Sequence, residues 1–257
     1  MYSVASIVDI GVFEKQNDDR TLVGKNLIAD GSYQVKVTDN FLIAALCDGV
    51  GGLSGGYKAA EITLNFFSYL NRPNVEASTI TSAIQEANRR VLDLQSKESG
   101  CSGMRTTITG TYIFNDSFIL FNVGDSRTYR FRYKYLMQLS KDDSLIQDMI
   151  DIGVISSEQA TTHPQRNIIN KCIGNNPAPV PKVVDYCDDF LDDDILFMCS
   201  DGISDVLSIT ELQEIILQHK NDEDLTACCR HIIESAINNG AKDNMSVILI
   251  RKDEENV

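Results

Sequence analysis

Three apolar runs each end in an aspartate. Residues 41–47 run into Asp48-Gly49, residues 118–123 into Gly124-Asp125, and residues 195–200 into Asp201-Gly202. A fourth pair, Asp243-Asn244, stands directly before the apolar run 245–250. Any one of these reads equally well as a turn, since Asp and Gly are turn residues. Asp125-Ser126-Arg127 alone would fit a hairpin turn with a local ion pair. Together they gather carboxylates at one sheet edge, provided the fourth run lies antiparallel to its neighbours. Carboxylates so gathered repel one another unless a cation neutralises them. Oxygen donors without His or Cys suit Mg²⁺ or Mn²⁺. Asp205 lies four residues after Asp201 and shares its face if the segment between is helical. The Gly-rich stretch 49–56 allows close backbone approach to an ion or phosphate. It is not a P-loop, because Lys58 lies between Tyr57 and Ala59.

Strands and helices must carry these groups. Residues 2–11 and 32–47 read as strands, the second as a hairpin around Thr38-Asp39-Asn40. Residues 56–70 and 75–96 repeat apolar side chains every three or four positions, as helices do. Strands are expected over 105–114, 117–123 and 126–131, with a tight turn at Asn115-Asp116. Short helices are expected over 144–152, 157–161 and 165–171. Strands 182–186, 195–199 and 246–251 follow, with helices 209–219 and 224–239 between the last two. Strands in hairpin-like runs and helices in pairs give an α+β layered domain with antiparallel sheets. Repeats, low-complexity tracts and linkers are absent, so residues 1–257 are expected to form a single domain.

The composition narrows the function. Asp and Glu number 37 against 23 Lys and Arg, a formal net charge of −14. That balance argues against nucleic acid and against an anionic membrane surface as partners. The apolar runs are strand-length, too short to span a bilayer. The first residues lack the basic and apolar regions of a signal peptide. Seven scattered Cys fit reduced, buried thiols in a cytoplasmic protein.

The motifs resemble the PPM-type, or protein phosphatase 2C-like, metal-dependent Ser/Thr protein phosphatases, with a bacterial cast. The matching segments are Gln16-Asn17-Asp18-Asp19, Asp48-Gly49-Val50-Gly51-Gly52, Thr106-Thr107, Val123-Gly124-Asp125-Ser126-Arg127, Leu139-Ser140-Lys141-Asp142-Asp143-Ser144, Ser200-Asp201-Gly202 and Asp243-Asn244-Met245-Ser246-Val247. They run in the family's order over nearly the whole chain. The resemblance implies a four-layer αββα sandwich, two antiparallel sheets flanked by helix pairs, with a binuclear Mg²⁺ or Mn²⁺ centre at one end. Asp48 would bridge the ions and Gly49 would offer its carbonyl. Asp201 and Asp243 would hold the second ion. Asp125 would help hold a weaker third, sharing Asp201 or Asp205. Asp18 and Asp19 would bind metal waters or hydrogen-bond the ligands, and Asn244 would orient a neighbour. Catalysis would rest on Asp19, Asp48, Asp201 and Asp243. A metal-bridging hydroxide would attack the phosphorus of phosphoserine or phosphothreonine directly. The stretch 142–171 would be a flap beside the site. The substrate would be a phosphorylated protein, served by a cognate Ser/Thr kinase system, and the enzyme a monomer.

Departures from the family pattern matter too. Glu14 stands where the family usually has a phosphate-binding Arg, and is expected to turn away. Lys15, Arg20 and Arg105 are the candidate replacements. Val50 stands where some members have a His, so leaving-group protonation would fall to metal-bound water. His163, His219 and His231 are too scattered for a His-rich centre and read as surface or core residues. Two other readings stay open. One is a weakly active or inactive relative that binds phosphoproteins as a regulatory module. The other is a structural Ca²⁺-binding protein, although the D-x-[DN]-x-[DN]-G spacing is absent.

Overall fold

The structure is a computed structural model and describes residues 1–50, 55–160, 163–187 and 189–253. The chain begins with β1 (Tyr2–Asp9), β2 (Arg20–Val23), β3 (Asn26–Ile28), β4 (Gly31–Val37), β5 (Phe41–Cys47) and the two-residue β6 (Gly49–Val50). A helix pair follows, α1 (Gly56–Ser68) and α2 (Ala77–Lys97). Next come β7 (Arg105–Thr106), β8 (Ile108–Phe114), β9 (Ser117–Val123), β10 (Arg127–Arg132) and β11 (Tyr135–Gln138), then the short helices α3 (Leu145–Asp151) and α4 (Ser157–Ala160). β12 (Lys182–Tyr186) and β13 (Ile195–Cys199) lead into α5 (Asp201–Ser204), α6 (Ile209–His219), α7 (Thr226–Asn238) and β14 (Met245–Lys252).

Two six-stranded sheets result, ordered β11-β10-β13-β14-β1-β4 and β12-β9-β8-β5-β2-β3. Their strands pair antiparallel throughout. The central strands are continuous apolar runs because both faces are covered. On β13, Ile195, Phe197 and Cys199 pack under α6 and α7, while Leu196 and Met198 face the other sheet. On β5, Ile43, Ala45 and Cys47 pack under α1 and α2, while Leu42, Ala44 and Leu46 face inward. Three apolar layers therefore separate four structural layers, the expected αββα sandwich. α1 supplies Ala59, Ala60, Leu64 and Phe67 to its layer at helical spacing. α6 is started by a capping box between Ser208 and Glu211.

Several local expectations are corrected. Residues 32–47 are not a hairpin: β4 pairs with β1 in one sheet, and β5 pairs with β2 and β8 in the other. The turn at Thr38-Asp39-Asn40 instead carries the chain across the sandwich. The turn around Asp125 does the same, since β9 and β10 lie in different sheets. Asn115-Asp116 is a true hairpin turn, with Phe114 opposite Ser117 and Asn115 at φ 52°. Residues 165–171 are turns rather than a helix, held by a bridge between Ser144 and Ile169. The second of the expected short helices is described over Ser157–Ala160, and Thr161 lies outside the described residues. Among the described residues, no helix is long and apolar enough to cross a membrane.

Candidate active site

The strand ends converge as their sequence positions suggest. Asp48 follows β5, Asp125 follows β9, and Asp201 follows β13. β14 is antiparallel to β13, with Cys199 opposite Val247, so Asp243 at its start meets Asp201 at the end of β13. Close backbone approach makes this possible. A Cβ on Gly202 would lie 2.1 Å from the Asn244 carbonyl oxygen, so only glycine lets the Asp201 turn lie against β14. Likewise a Cβ on Gly49 would lie 2.4 Å from the Gly56 carbonyl carbon. That contact seats the Asp48 loop on the first turn of α1. Gly51 and Gly52 of the same motif lie outside the described residues.

A cleft of about 710 Å³ opens at this end of the sandwich. Asp18, Asp48, Gly49, Asp201, Asp243 and Asn244 line it. Asp201 also lines two adjoining hollows, one with Asp243 and Asp205, the other with Asp125 and Asp205. The turns at 165–171 supply Asn167 and Ile169 to the cleft wall, so the stretch 142–171 borders the site. Its root is anchored by a forked Arg127–Asp142 ion pair and by Lys171 and Lys182 on buried Asp143.

The electrostatics are unusual. Asp48 opens onto the cleft, yet protein surrounds it. Its carboxyl is pushed well above the usual range, first by removal from water, then by Asp201, Asp19, Asp125 and Asp243. Asp201 is pushed up to about 6 by burial, then by Asp243 and Asp205. Its carboxyl lies within hydrogen-bonding reach of Asp48. Asp125 is raised by burial and by Asp201, against the pull of Arg127. Asp205 is raised by burial, with Arg166 and Arg127 opposing.

Asp19 sits behind the cleft wall, 1% exposed, and accepts from Ser200 Oγ at 2.8 Å and Ser246 Oγ at 2.6 Å. Burial raises it to about 7 in spite of those bonds. Asn244 is a tie. Its Oδ1 accepts from the Asp18 N–H at 2.7 Å, and its Nδ2 donates to the carbonyls of Ile10 and Gln16. Asp18 in turn accepts from the Tyr57 N–H at the start of α1.

These residues fit a divalent cation. Asp125 Oδ1 and Asp201 Oδ1 are buried and have no hydrogen-bond partner, which is costly for a carboxylate unless a cation takes it. Among the described residues, no three His, Cys, Asp or Glu side chains already close a metal shell. Ions that keep several waters need only one or two carboxylates each.

The candidate cations separate. Lys15 lines the cleft. Glu14 is among its lining residues too, exposed just after the turn at 11–13, where water screens its charge. Arg20 is not on the wall. It is 7% exposed, donates to Glu61 and to the carbonyls of Asn17 and Asp19, and stacks over Tyr57. Its guanidinium orders the wall and is spent. Arg105 is exposed opposite Val50 in the short β6–β7 ladder and does not line the cleft. The sequence reading passed over Lys58, which does line it. Its only sequence signal was position in the turn after the Gly-rich stretch. His219 and His231 hydrogen-bond each other on the α6–α7 layer, away from the cleft.

A family model described as protein phosphatase 2C matches residues 177–245. The serine/threonine phosphatase stp of Listeria monocytogenes serotype 4b (strain F2365) is 30% identical over 223 residues, covering 84% of this chain and 86% of the relative. The solved structure of the S. agalactiae serine/threonine phosphatase is 25% identical, with a TM-score of 0.85 over 98% of this chain and 100% of that one. The catalytic domain of the serine threonine protein phosphatase PstP, solved in complex with 2 manganese ions, has the same fold. It is 23% identical, with a TM-score of 0.81 over 99% of this chain and 100% of that one.

Proposed function

The chain belongs to the protein phosphatase 2C family, and from that premise we propose that the acidic cleft removes phosphate from phosphoserine and phosphothreonine in proteins. The activity depends on divalent metal. The observation that carries the site assignment is the set of strand-end carboxylates, Asp48, Asp125 and Asp201, that raise one another's pKa, with buried, unpartnered oxygens on Asp125 and Asp201.

Asp48, the Gly49 carbonyl, Asp201 and Asp243 would hold two Mg²⁺ or Mn²⁺ ions, with Asp125 and Asp205 completing a third site. When bound, such ions acidify water and neutralise charge on the transferring phosphoryl group. The protein's own groups do the rest. Asp19 holds Ser200 and Ser246 together behind the β13–β14 ends and keeps the Asp201 turn in place. Asn244 and Asp18 fasten the loop that carries Lys15 to the start of α1. Lys15 lines the cleft from that loop. Among the described lining residues there is no Cys, Ser, Thr or His, which favours direct attack by water over a covalent enzyme intermediate. Residues 1–257 act as one catalytic domain, a reading supported by the pairing of Tyr2 with Lys252. The enzyme works as a monomer in the cytoplasm, against phosphoproteins made by a Ser/Thr kinase. Six buried free thiols support a reducing compartment.

The test is hydrolysis of p-nitrophenyl phosphate and a phosphothreonine peptide with Mn²⁺ or Mg²⁺, with EDTA, and with Asp201→Asn. Activity that needs a divalent ion and is lost in the variant is expected. Metal-independent activity, or none with any divalent ion, refutes the reading.

A further inference from the structure

We infer that Lys58 grips a non-bridging oxygen of the substrate's phosphoryl group, doing the work of the Arg whose place Glu14 occupies; this rests on the phosphatase reading above. Lys15 and Lys58 are the two cations among the described residues lining the cleft. They differ in setting. Lys15 is exposed on a turn beside Glu14, where a solvated charge contributes little. Lys58 is half-buried in the first turn of α1.

Its partner is the weak point. Lys58 Nζ lies 3.8 Å from Cys101 Sγ, and among the described residues it makes no ion pair with a carboxylate. The Cys101 thiol is itself turned toward Glu98, at 3.6 Å. A thiol is a feeble acceptor, and an ammonium has three donors to place. A half-buried cation in an acidic molecule would ordinarily collapse onto the nearest carboxylate. Here the strand-end carboxylates face one another instead, and the ammonium is left with capacity for a visiting anion.

Position also favours Lys58. The Gly49–Gly56 contact fixes the first turn of α1 against the loop that carries Asp48. Lys58 is therefore held in register with the proposed metal ligands, whereas Lys15 hangs from a loop fastened through Asn244 and Asp18. Lysine meets phosphate as a compact point charge and accepts a wider range of approach than a guanidinium fork.

The experiment compares Lys58→Met, Lys58→Arg and Lys15→Met with the wild type, all loaded with Mn²⁺. It reads KM and kcat for a phosphothreonine peptide, the inhibition constant of inorganic phosphate, and the Mn²⁺-induced rise in Tm. In Lys58→Met, KM and the phosphate inhibition constant should each rise at least about tenfold, the scale of one charge-assisted hydrogen bond. The change in kcat should be smaller, and the Mn²⁺-induced Tm rise should be unchanged. Lys58→Arg should recover most of the loss, and Lys15→Met should cost less than threefold by the solvation argument. If Lys58→Met misfolds, Lys58→Gln takes its place in the same measurements. A folded Lys58 variant with both constants within twofold of wild type overturns the inference, as does a larger effect at Lys15. A wild type without metal-dependent activity sinks the phosphatase reading and this inference with it, whereas an active wild type with a silent Lys58 sinks the inference alone.

Discussion

β13 has an aspartate at each end, Asp194 buried and Asp201 half-buried, and the two live by opposite rules. Asp194, 2% exposed, stands just before the strand and is gripped by Arg132 through Nε at 2.8 Å and through Nη2, while the Leu191 N–H also donates to it. Its neighbour Asp189 takes Arg130 and Arg132 together, and those guanidiniums hold it below the usual carboxylate range against the cost of partial burial. Asp201 follows the strand's other end and has no such partner. Its Oδ1 is orphaned, and its neighbours are Asp48, Asp205 and Asp243. One end has its cations built in. The other end leaves the charge to something that binds. Carboxylates matched by arginine hold structure together, and carboxylates matched by nothing mark a site.

The largest effect that sharpens this contrast is a reversal of sign between two similar substitutions. Asp201→Asn should abolish metal-dependent phosphatase activity, a loss of at least about a thousandfold if the metal supplies most of the charge stabilisation. The same variant should raise the Tm of metal-free protein, since the Asn amide can donate to Asp48 and removes a repulsive charge. Asp194→Ala should do the reverse, costing about 3 kcal/mol, or roughly 5–10 °C of Tm, with kcat preserved. Calorimetry and a phosphate-release assay on the two proteins check both signs, and the contrast fails if both variants lose stability alike.

Metal should act at one end only. Mn²⁺ at about a hundred times its Kd should stabilise wild type by about 2.7 kcal/mol. Asp194→Ala should keep that increment and Asp201→Asn should lose most of it, as read by thermal shift with and without EDTA.

A smaller effect lies in pH. Asp19 and Asp201 have folded pKa values raised to about 7 and about 6. Groups raised in this way favour the folded state while protonated. Their contribution is fully present below the unfolded value near 4 and is lost as pH rises through 6 and 7. Metal-free protein should therefore lose Tm between about pH 4 and pH 7, and saturating Mn²⁺ should flatten that slope. A metal-free Tm that rises over the interval would contradict the cleft electrostatics.

The smallest expected change is in Ser246→Ala, which removes the shorter of the two bonds to Asp19 Oδ2. Asp19 should titrate higher still. NMR of the carboxyl region should show a shift of less than about one unit, given that Ser200 remains.

Much of this site could be read from the chain because strand-end carboxylates leave a mark in one dimension. An apolar run that stops at Asp48, Asp125 or Asp201 states both the element and the position. What could not be read was which sheet a strand joins. Thr38-Asp39-Asn40 and Asn115-Asp116 are both turn sequences, yet the first crosses between sheets and the second closes a hairpin. Turn chemistry is local, and the choice is made by which apolar face is buried where. β2 and β3 were missed because four and three residues carry too little periodicity to register. Arg20 reads as a spare cation until the fold shows its guanidinium spent on Asn17, Asp19 and Glu61. Lys58 completes no motif in the sequence, and only the fold places it on the cleft wall.

The place of β14 has a consequence for timing. It is inserted between β13 and β1, with Tyr2 opposite Lys252, so among the described strands a central one of its sheet comes last in sequence. A growing chain that has not yet released β14 holds β1 and β13 with an open slot between them. It also lacks Asp243 and Asn244 beside Asp201 and Asp18. Sheet closure must wait for long-range pairing, which is slow. The segment that completes the core thus also completes the candidate site.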